Sequence, residues 1–109
     1  MPGNKPVIRR LLADQDIQKA IAFYVDQSEH RLALAFLDAF EEAIVHIQRH
    51  PDGGSPRYAH ELDLPGLRSW ACKRFPYLLF YIERDGHIDV WRVLHAQRDI
   101  PAWLLGEGH

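Results

Sequence analysis

Apolar residues recur with a helical period in two successive segments of the first half of the chain. The first stripe follows i, i+3, i+4 and i+7 spacing and comprises Ile17, Ala20, Ile21 and Tyr24, with the polar Ser28 on the same face. A second, longer stripe runs from about Glu29 to His50 and ends where Pro51 is followed by Asp52 and two glycines. Since a short link joins the two segments, they predict an antiparallel helical hairpin that must pack against another layer.

Strand patterns flank this hairpin on both sides. The stretches with strand character are residues 7–13, 67–75, 77–83 and 87–95. Asp14 is positioned to cap the first helix. The dipeptide Asp85-Gly86 separates the last two strands and favours a type I′ turn, which needs positive φ at both central residues. Alternation in the last strand predicts one face with Ile88, Val90, Arg92 and Leu94 and another with Asp89, Trp91, Val93 and His95.

The order of these elements is β-α-α-β-β-β, with a short helix expected from about Asp99 to Leu105. It predicts an α+β fold of two layers, in which the helical hairpin lies across one face of a largely antiparallel sheet. Residues 55–65, which include two prolines, are expected to be irregular. With 109 residues and no linker or repeat, we expect a single domain spanning residues 1–109.

The charge balance argues against a protein that works mainly by gripping phosphate. Lysine and arginine number 13 against 15 acidic residues, so the formal net charge is −2. The segment MPGNKPVIRR lacks the apolar stretch of a signal peptide, and no run approaches the ~20 apolar residues of a membrane span. We therefore expect a cytoplasmic protein without a membrane partner. Cys72 has no second cysteine to pair with and is interpreted as a packed thiol.

The most concentrated chemistry in the sequence is an arginine–histidine cluster, Arg92, His95 and Arg98, at the end of the last strand. It is either an active site or a surface that holds a target or partner. Arg92 shares its predicted face with apolar residues, so it is also a candidate for a structural ion pair with Glu61, Asp63 or Asp99.

A second constellation lies on the long helix. Glu42, His46 and His50 follow each other at i+4 spacing, and a pair of histidines so placed can bind zinc. No further cysteine or histidine is obviously placed to complete such a site, so we interpret these residues as a solvated helix face. The Gly53-Gly54 pair opens no nucleotide-binding loop. We expect neither a metal nor a cofactor.

Several strings resemble the RelE/ParE superfamily of toxins from toxin–antitoxin modules. They are LPGLRSW from Leu64, FPYLLFY from Phe75, RVLHAQRDIP from Arg92, and the pattern of Asp16, Ile17, Ala20 and Tyr24 in the first helix. The RVLH and RDIP strings are most similar to the ParE, or plasmid-stabilisation, branch. The resemblance implies a bacterial toxin that is neutralised by a cognate antitoxin. ParE-type toxins act on DNA gyrase, whereas RelE-type toxins cleave messenger RNA on the ribosome.

The resemblance leaves three functions open. The favoured one is a non-enzymatic ParE-like toxin whose target- or partner-binding residues are Arg68, Arg74, Arg92, His95, Arg98 and Trp103. The second is a metal-independent, ribosome-dependent endoribonuclease with catalytic residues His95, Arg68, Arg92 and Arg98. Against it, Pro101 stands where RelE-type sequences usually carry a tyrosine, and the net charge is unsuited to ribosomal RNA. The third is an inactive family member that serves only as an antitoxin-binding partner.

Antitoxin binding is expected at two places. The aromatic tail around Trp103 is a candidate receptor for apolar anchors of the antitoxin. The first strand, if it lies at an edge of the sheet, is a candidate for pairing with an antitoxin strand.

Overall fold

The computed structural model describes residues 5–106 and confirms the predicted α+β fold. A short strand, β1 (Val7–Arg9), leads into the helices α1 (Leu11–Asp26) and α2 (His30–Arg49). A third, short helix follows before the strands that build most of the sheet. These remaining elements are α3 (Arg57–Leu62), β2 (Leu67–Ala71), β3 (Tyr77–Glu83), β4 (Ile88–His95) and α4 (Ile100–Leu104).

Within the described residues the four strands form one sheet in the order β1-β4-β3-β2. β2, β3 and β4 are antiparallel neighbours, whereas β1 lies parallel to β4 at the edge, with Val7 opposite Ile88. The sheet is therefore largely antiparallel, as predicted, and the first strand lies at an edge.

The helical hairpin packs on one face of this sheet. Its buried side chains meet those of the central strands in a core that includes Ala13, Ile17, Phe36, Phe40, Ile47, Leu79, Tyr81, Val90 and Val93. The predicted stripes of both helices supply most of these contacts. Ser28 is an exception, since it lies beyond the end of α1 with a φ of 59°.

The opposite face of the sheet is covered by the two short helices. A smaller core lies there, made of Leu67, Phe80, Ile82, Leu94 and Ile100. From α3, Tyr58 packs edge-on against Phe80 with ring centroids 5.6 Å apart. The expectation that residues 55–65 are irregular was wrong, because residues 57–62 form α3 behind Pro56. No residue of α3 is fully buried, so the helix has no apolar stripe that the sequence would reveal.

Two predicted boundaries were also wrong. The first strand ends at Arg9, and α1 begins at Leu11, so Asp14 lies inside the first turn and does not cap the helix. The chain leaves the sheet early because the Arg10 N–H donates to the Val90 carbonyl while the Arg10 carbonyl already accepts from the Asp14 N–H. Asp14 instead pairs with Arg9 at 2.7 Å.

The turn between β3 and β4 is not type I′. Neither Asp85 nor Gly86 has a positive φ. Glu83 and Ile88 form the last pair of the ladder, which leaves a loop of residues 84–87. A longer loop closes the hairpin without the left-handed residues that a two-residue turn requires.

A β-bulge changes which side chains share a face of β4. Phe80 is opposite Arg92, but Tyr81 is opposite Val90, so β4 carries one additional residue, Trp91, at this point. An extra residue shifts every later side chain to the other face. Ile88 and Val90 therefore share a core with Val93 and not with Leu94, and the predicted assignment of faces was wrong beyond Val90.

No helix in the described part of the chain is both long and apolar enough to cross a membrane.

Candidate functional site at the end of the last strand

Arg92, the first member of the predicted cluster, lies inside the protein. It is only 5% exposed, and its Nε and Nη2 donate to the two carboxylate oxygens of Asp16 at 2.8 and 2.9 Å. Its Nη1 donates to the carbonyl of Trp103 at 3.0 Å. Asp16 also accepts from the Val93 N–H at 2.9 Å. Arg92 thus joins α1, β4 and α4, and its planar guanidinium suits this bidentate contact.

The structural role considered for Arg92 is confirmed, but its predicted partners are wrong. The carboxylate comes from Asp16, 76 positions earlier in the chain, and not from Glu61, Asp63 or Asp99. All three of those residues are exposed. A buried guanidinium without a buried carboxylate would be strongly unfavourable, so α1 supplies the carboxylate from within the core.

A cleft of about 380 Å³ opens beside this buried pair, between α1, β4 and α4. Three of the predicted site residues line it, namely His95, Arg98 and Trp103. Residues that were not predicted to belong to the site complete the walls, including Lys19, Phe23, Tyr24 and Tyr77. The cleft therefore combines cationic groups with aromatic surfaces.

His95 is half-buried in this cleft and has a defined orientation. Its ring packs edge-on against Tyr77, with centroids 5.3 Å apart. The Gln97 N–H donates to its Nδ1 at 3.1 Å. An Nδ1 that accepts a hydrogen bond carries no proton, so the neutral ring has its proton on Nε2 and offers a donor there.

Arg98 and Trp103 form the side of the cleft that α4 provides. The guanidinium of Arg98 lies over the Trp103 ring at 4.5 Å from its centroid, which is a cation–π contact. Asp99 fixes the start of α4 by accepting a hydrogen bond from the Ala102 N–H at 3.3 Å. The buried Ile100 anchors the helix in the smaller core. The short helix α4 is therefore fixed by its N-terminal cap, Asp99, and by the buried side chain of Ile100.

The two tyrosines of the cleft remain protonated. Burial raises the pKa of Tyr24, and proximity to Cys72 adds to the effect. Burial also raises the pKa of Tyr77, and Tyr24 adds to this, while the charge of Arg98 acts in the opposite direction. Both hydroxyls thus keep their protons at neutral pH and can donate hydrogen bonds.

Arg68 lies away from the cleft. It is opposite Tyr81 on β3, whereas His95 is opposite Tyr77, and the four-residue offset corresponds to about 13 Å along the strand. Its Nη1 donates to the Gly54 carbonyl at 2.8 Å and so helps to hold the loop after α2. Arg68 and His95 therefore do not act on one substrate group in this arrangement.

Arg74 is not among the residues that line the cleft. It is exposed in the turn between β2 and β3, with a φ of 68°. Of the six predicted binding residues, the structure thus brings together His95, Arg98 and Trp103.

A family of known proteins matches most of this sequence. The model of the ParE toxin of type II toxin–antitoxin systems, parDE, aligns with residues 7–100.

The chain belongs to the ParE toxin family.

Structural comparison agrees with this membership at the level of the fold. A solved chain described as the chromosomal ParDE toxin–antitoxin system from P. aeruginosa is similar, with a TM-score of 0.70 and 18% identity. The match covers 85% of this chain and 97% of that chain. No curated protein matches the sequence. The predicted superfamily and its ParE branch are confirmed.

Some residues of this ParE-family site were missed by sequence reasoning. Asp16 and Tyr24 were noticed only as part of the family-like pattern of the first helix, which gave no hint that they reach the end of β4. Lys19 lies between them in the sequence and belongs to no motif that would have marked it as a site residue. A signal existed for Asp16, since a carboxylate on the apolar side of an amphipathic helix needs a partner.

His46 of α2 and His50, which directly follows the helix, lie in a different region of this ParE-family chain. His46 stacks on Trp70 with ring centroids 3.8 Å apart, and His50 lies 5.1 Å from His46. Among the described residues, no group of three or more histidine, cysteine, aspartate or glutamate side chains is arranged to hold a metal ion. Burial raises the pKa of Cys72 to about 11, which keeps this side chain a thiol at neutral pH.

Proposed function

We propose that this ParE-family chain is a toxin that inhibits growth by binding DNA gyrase, and that a cognate antitoxin neutralises it by binding. The type II toxin–antitoxin family provides the first support, since a toxin of this class has an antitoxin partner. The toxin acts as a binding protein and not as an enzyme.

The observation that carries the proposal is the use of Arg92 inside the fold. Its donors are committed to Asp16 and to the carbonyl of Trp103. This removes from the predicted cluster one of the arginines expected to stabilise a developing phosphate charge. The groups that remain in the cleft are suited to holding a partner, because they offer hydrogen-bond donors and aromatic surface.

The ribonuclease alternative receives less support from the same geometry. A general base for the 2′-hydroxyl must have a lone pair free to accept the proton. In His95 the lone pair of Nδ1 already accepts a hydrogen bond from the Gln97 N–H and is not free for this role. Arg68, another proposed catalytic residue, is displaced by about 13 Å along the sheet.

Purified protein added to a DNA gyrase supercoiling reaction tests the proposal directly. We expect inhibition of supercoiling that rises with toxin concentration. In parallel, induced expression in a sensitive bacterium should stop incorporation of labelled thymidine before that of labelled methionine. Arg57→Gln, at an exposed arginine on α3, provides a control variant that should behave as the wild type.

Two results would contradict the proposal in different ways. If methionine incorporation stops first and messages are cut, the chain is a ribonuclease. If induced cells grow normally while the protein accumulates in folded form, the chain is an inactive family member.

A further inference from the structure

The cleft between α1, β4 and α4 contains more hydrogen-bond donors than the protein itself uses. Within residues 5–106, the side chains of Lys19, Arg98, Tyr24 and Tyr77 form no hydrogen bond or ion pair. Among the lining residues that the structure describes, the one carboxylate, Asp16, already accepts three hydrogen bonds from Arg92 and Val93. The described part of the lining therefore contains a group of side-chain donors that have no acceptor within it.

The charge of the cleft differs from that of the whole chain. Asp16 is balanced by Arg92, so among residues 5–106 Lys19 and Arg98 remain as two positive charges in the lining without an ion-pair partner. The chain as a whole has a formal net charge of −2. A positive cleft on an acidic protein attracts an anionic group locally without attracting nucleic acid generally.

The walls of the cleft specify what should carry that anionic group. Phe23 is 55% exposed at the cleft, and Tyr77 and Trp103 add further aromatic surface. An exposed phenylalanine beside cations is suited to an apolar side chain next to a carboxylate. A polynucleotide would instead favour a row of several cations along its phosphates, and the described lining offers two, Lys19 and Arg98.

We propose that this cleft binds an acidic peptide segment of a partner protein, with a carboxylate held by Lys19, Arg98 and the tyrosine hydroxyls, and an adjacent apolar side chain packed on Phe23 and Trp103. The identification of that partner as the antitoxin rests on the proposed function. The peptide chemistry follows from the cleft alone. Arg92 acts here as a positioning residue, because its bond to the Trp103 carbonyl fixes α4 beside the cleft.

An NMR titration of the full-length, isotope-labelled protein tests this inference with defined probes. The first probe is the acetylated and amidated tetrapeptide Glu-Leu-Glu-Leu, and the second is the same peptide with glutamine in place of glutamate. We expect the acidic peptide to shift the signals of Lys19, Tyr77, His95 and the Trp103 indole. The glutamine peptide should bind about tenfold more weakly, since it loses charge-assisted hydrogen bonds.

Variants of the cleft locate the binding. Arg98→Gln and, separately, Lys19→Gln should each weaken the acidic peptide about fivefold to tenfold while the rest of the amide spectrum is unchanged. Arg57→Gln removes a positive charge from α3, a helix that does not line the cleft, and should leave the affinity as it is. The two cleft variants are independent, so loss of folding in one leaves the other as a test.

Three outcomes would overturn the inference. The first is equal binding of the acidic and glutamine peptides, and the second is the absence of any shift with either. The third is tighter binding of a uridine tetranucleotide that shifts the same signals, which would assign the cleft to nucleic acid. Since these titrations do not involve gyrase or growth, failure here leaves the proposed function intact, and failure of gyrase inhibition leaves the peptide result intact.

Discussion

The strand β4 carries an aspartate–arginine contact near each end, and the two contacts are built in opposite ways. Near its start the aspartate is the buried partner. Asp89 accepts from Arg10 and Arg84, whose side chains are 48% and 43% exposed. Near its end the arginine is buried together with its partner, since the side chains of Arg92 and Asp16 are 6% and 5% exposed. One contact faces the solvent, and the other is part of the interior.

The difference determines how each region tolerates the loss of a partner. If one arginine leaves Asp89, the second remains and water can reach both guanidinium groups. If Asp16 loses its charge, Arg92 stays inside the protein without a counter-charge. Removal of one member of a buried ion pair lowers the free energy of unfolding by about 3–5 kcal/mol. The end of β4 is thus held rigidly by its interior contact, and its surface donors remain available.

The largest effect is expected for Asp16→Asn. The substitution keeps an oxygen that can accept from the Val93 N–H but removes the negative charge that compensates Arg92. We expect the free energy of unfolding to fall by about 3–5 kcal/mol, which a small domain does not easily tolerate. Urea unfolding followed by circular dichroism measures this loss.

The double variant Asp16→Asn with Arg92→Leu provides the matched control for that experiment. It removes both charges, so it should be more stable than Asp16→Asn alone even though more contacts are lost. Equal or lower stability of the double variant would show that the charge of Arg92 is not what makes the single substitution costly.

A smaller effect is expected for Asp89→Asn. Two charge-assisted hydrogen-bonding partners are lost from a buried carboxylate, but Arg10 and Arg84 are partly exposed and can be rehydrated. The free energy of unfolding should fall by about 1–2 kcal/mol. Thermal unfolding of the two single variants side by side gives the comparison, and a larger loss for Asp89→Asn than for Asp16→Asn would reverse it.

The Asp89 contact also predicts a pH dependence. Burial by itself would raise the pKa of Asp89, but the hydrogen bonds and charges of Arg10 and Arg84 outweigh it and lower the pKa below its usual value. A carboxylate with a lowered pKa in the folded state stabilises the protein above the unfolded pKa of about 3.9, and this contribution is lost as the pH falls below that value.

Unfolding measured between pH 6 and pH 2.5 tests that expectation. The wild type should lose stability on acidification more steeply than Asp89→Asn, because the variant has no carboxylate to protonate at this position. Parallel curves for the two proteins would contradict the assignment.

The elements of this fold that could be predicted from the sequence are those with a clear apolar pattern. α2 was predicted within a residue at each end because its stripe is long and Pro51 stops it. β3 was predicted with its observed bounds because its apolar run is continuous. By contrast, α3 has no buried residue, and β1 is too short to show where it gives way to α1. β1 is fixed by its hydrogen-bonded pairing with β4, and α3 is fixed by packing on the sheet, as in the contact of Tyr58 with Phe80.

The site was predicted less completely than the fold, for a related reason. The sequence showed that Arg92, His95 and Arg98 are close along the chain, and the structure places His95 and Arg98 together with Trp103 in one cleft. The bulge at Trp91 and the partner of Arg92 were not predictable from spacing. A bulge changes the face of a side chain without any local signal, and Asp16 is 76 positions distant from Arg92.

The smallest effect on stability is expected for Arg98, which is exposed although it is close in sequence to the buried Arg92. It follows Arg92 by six positions, yet it is exposed and makes a cation–π contact with Trp103 at 4.5 Å. Arg98→Gln should therefore change the free energy of unfolding by less than about 1 kcal/mol, since exposed cation–π contacts contribute at most about that much. Urea unfolding beside Arg92→Gln, in which the Asp16 carboxylate loses its buried partner, separates the two arginines. If Arg98→Gln destabilised the protein as much as Arg92→Gln, Arg98 would belong to the structural interior, and the donors of the cleft would not be available to a partner.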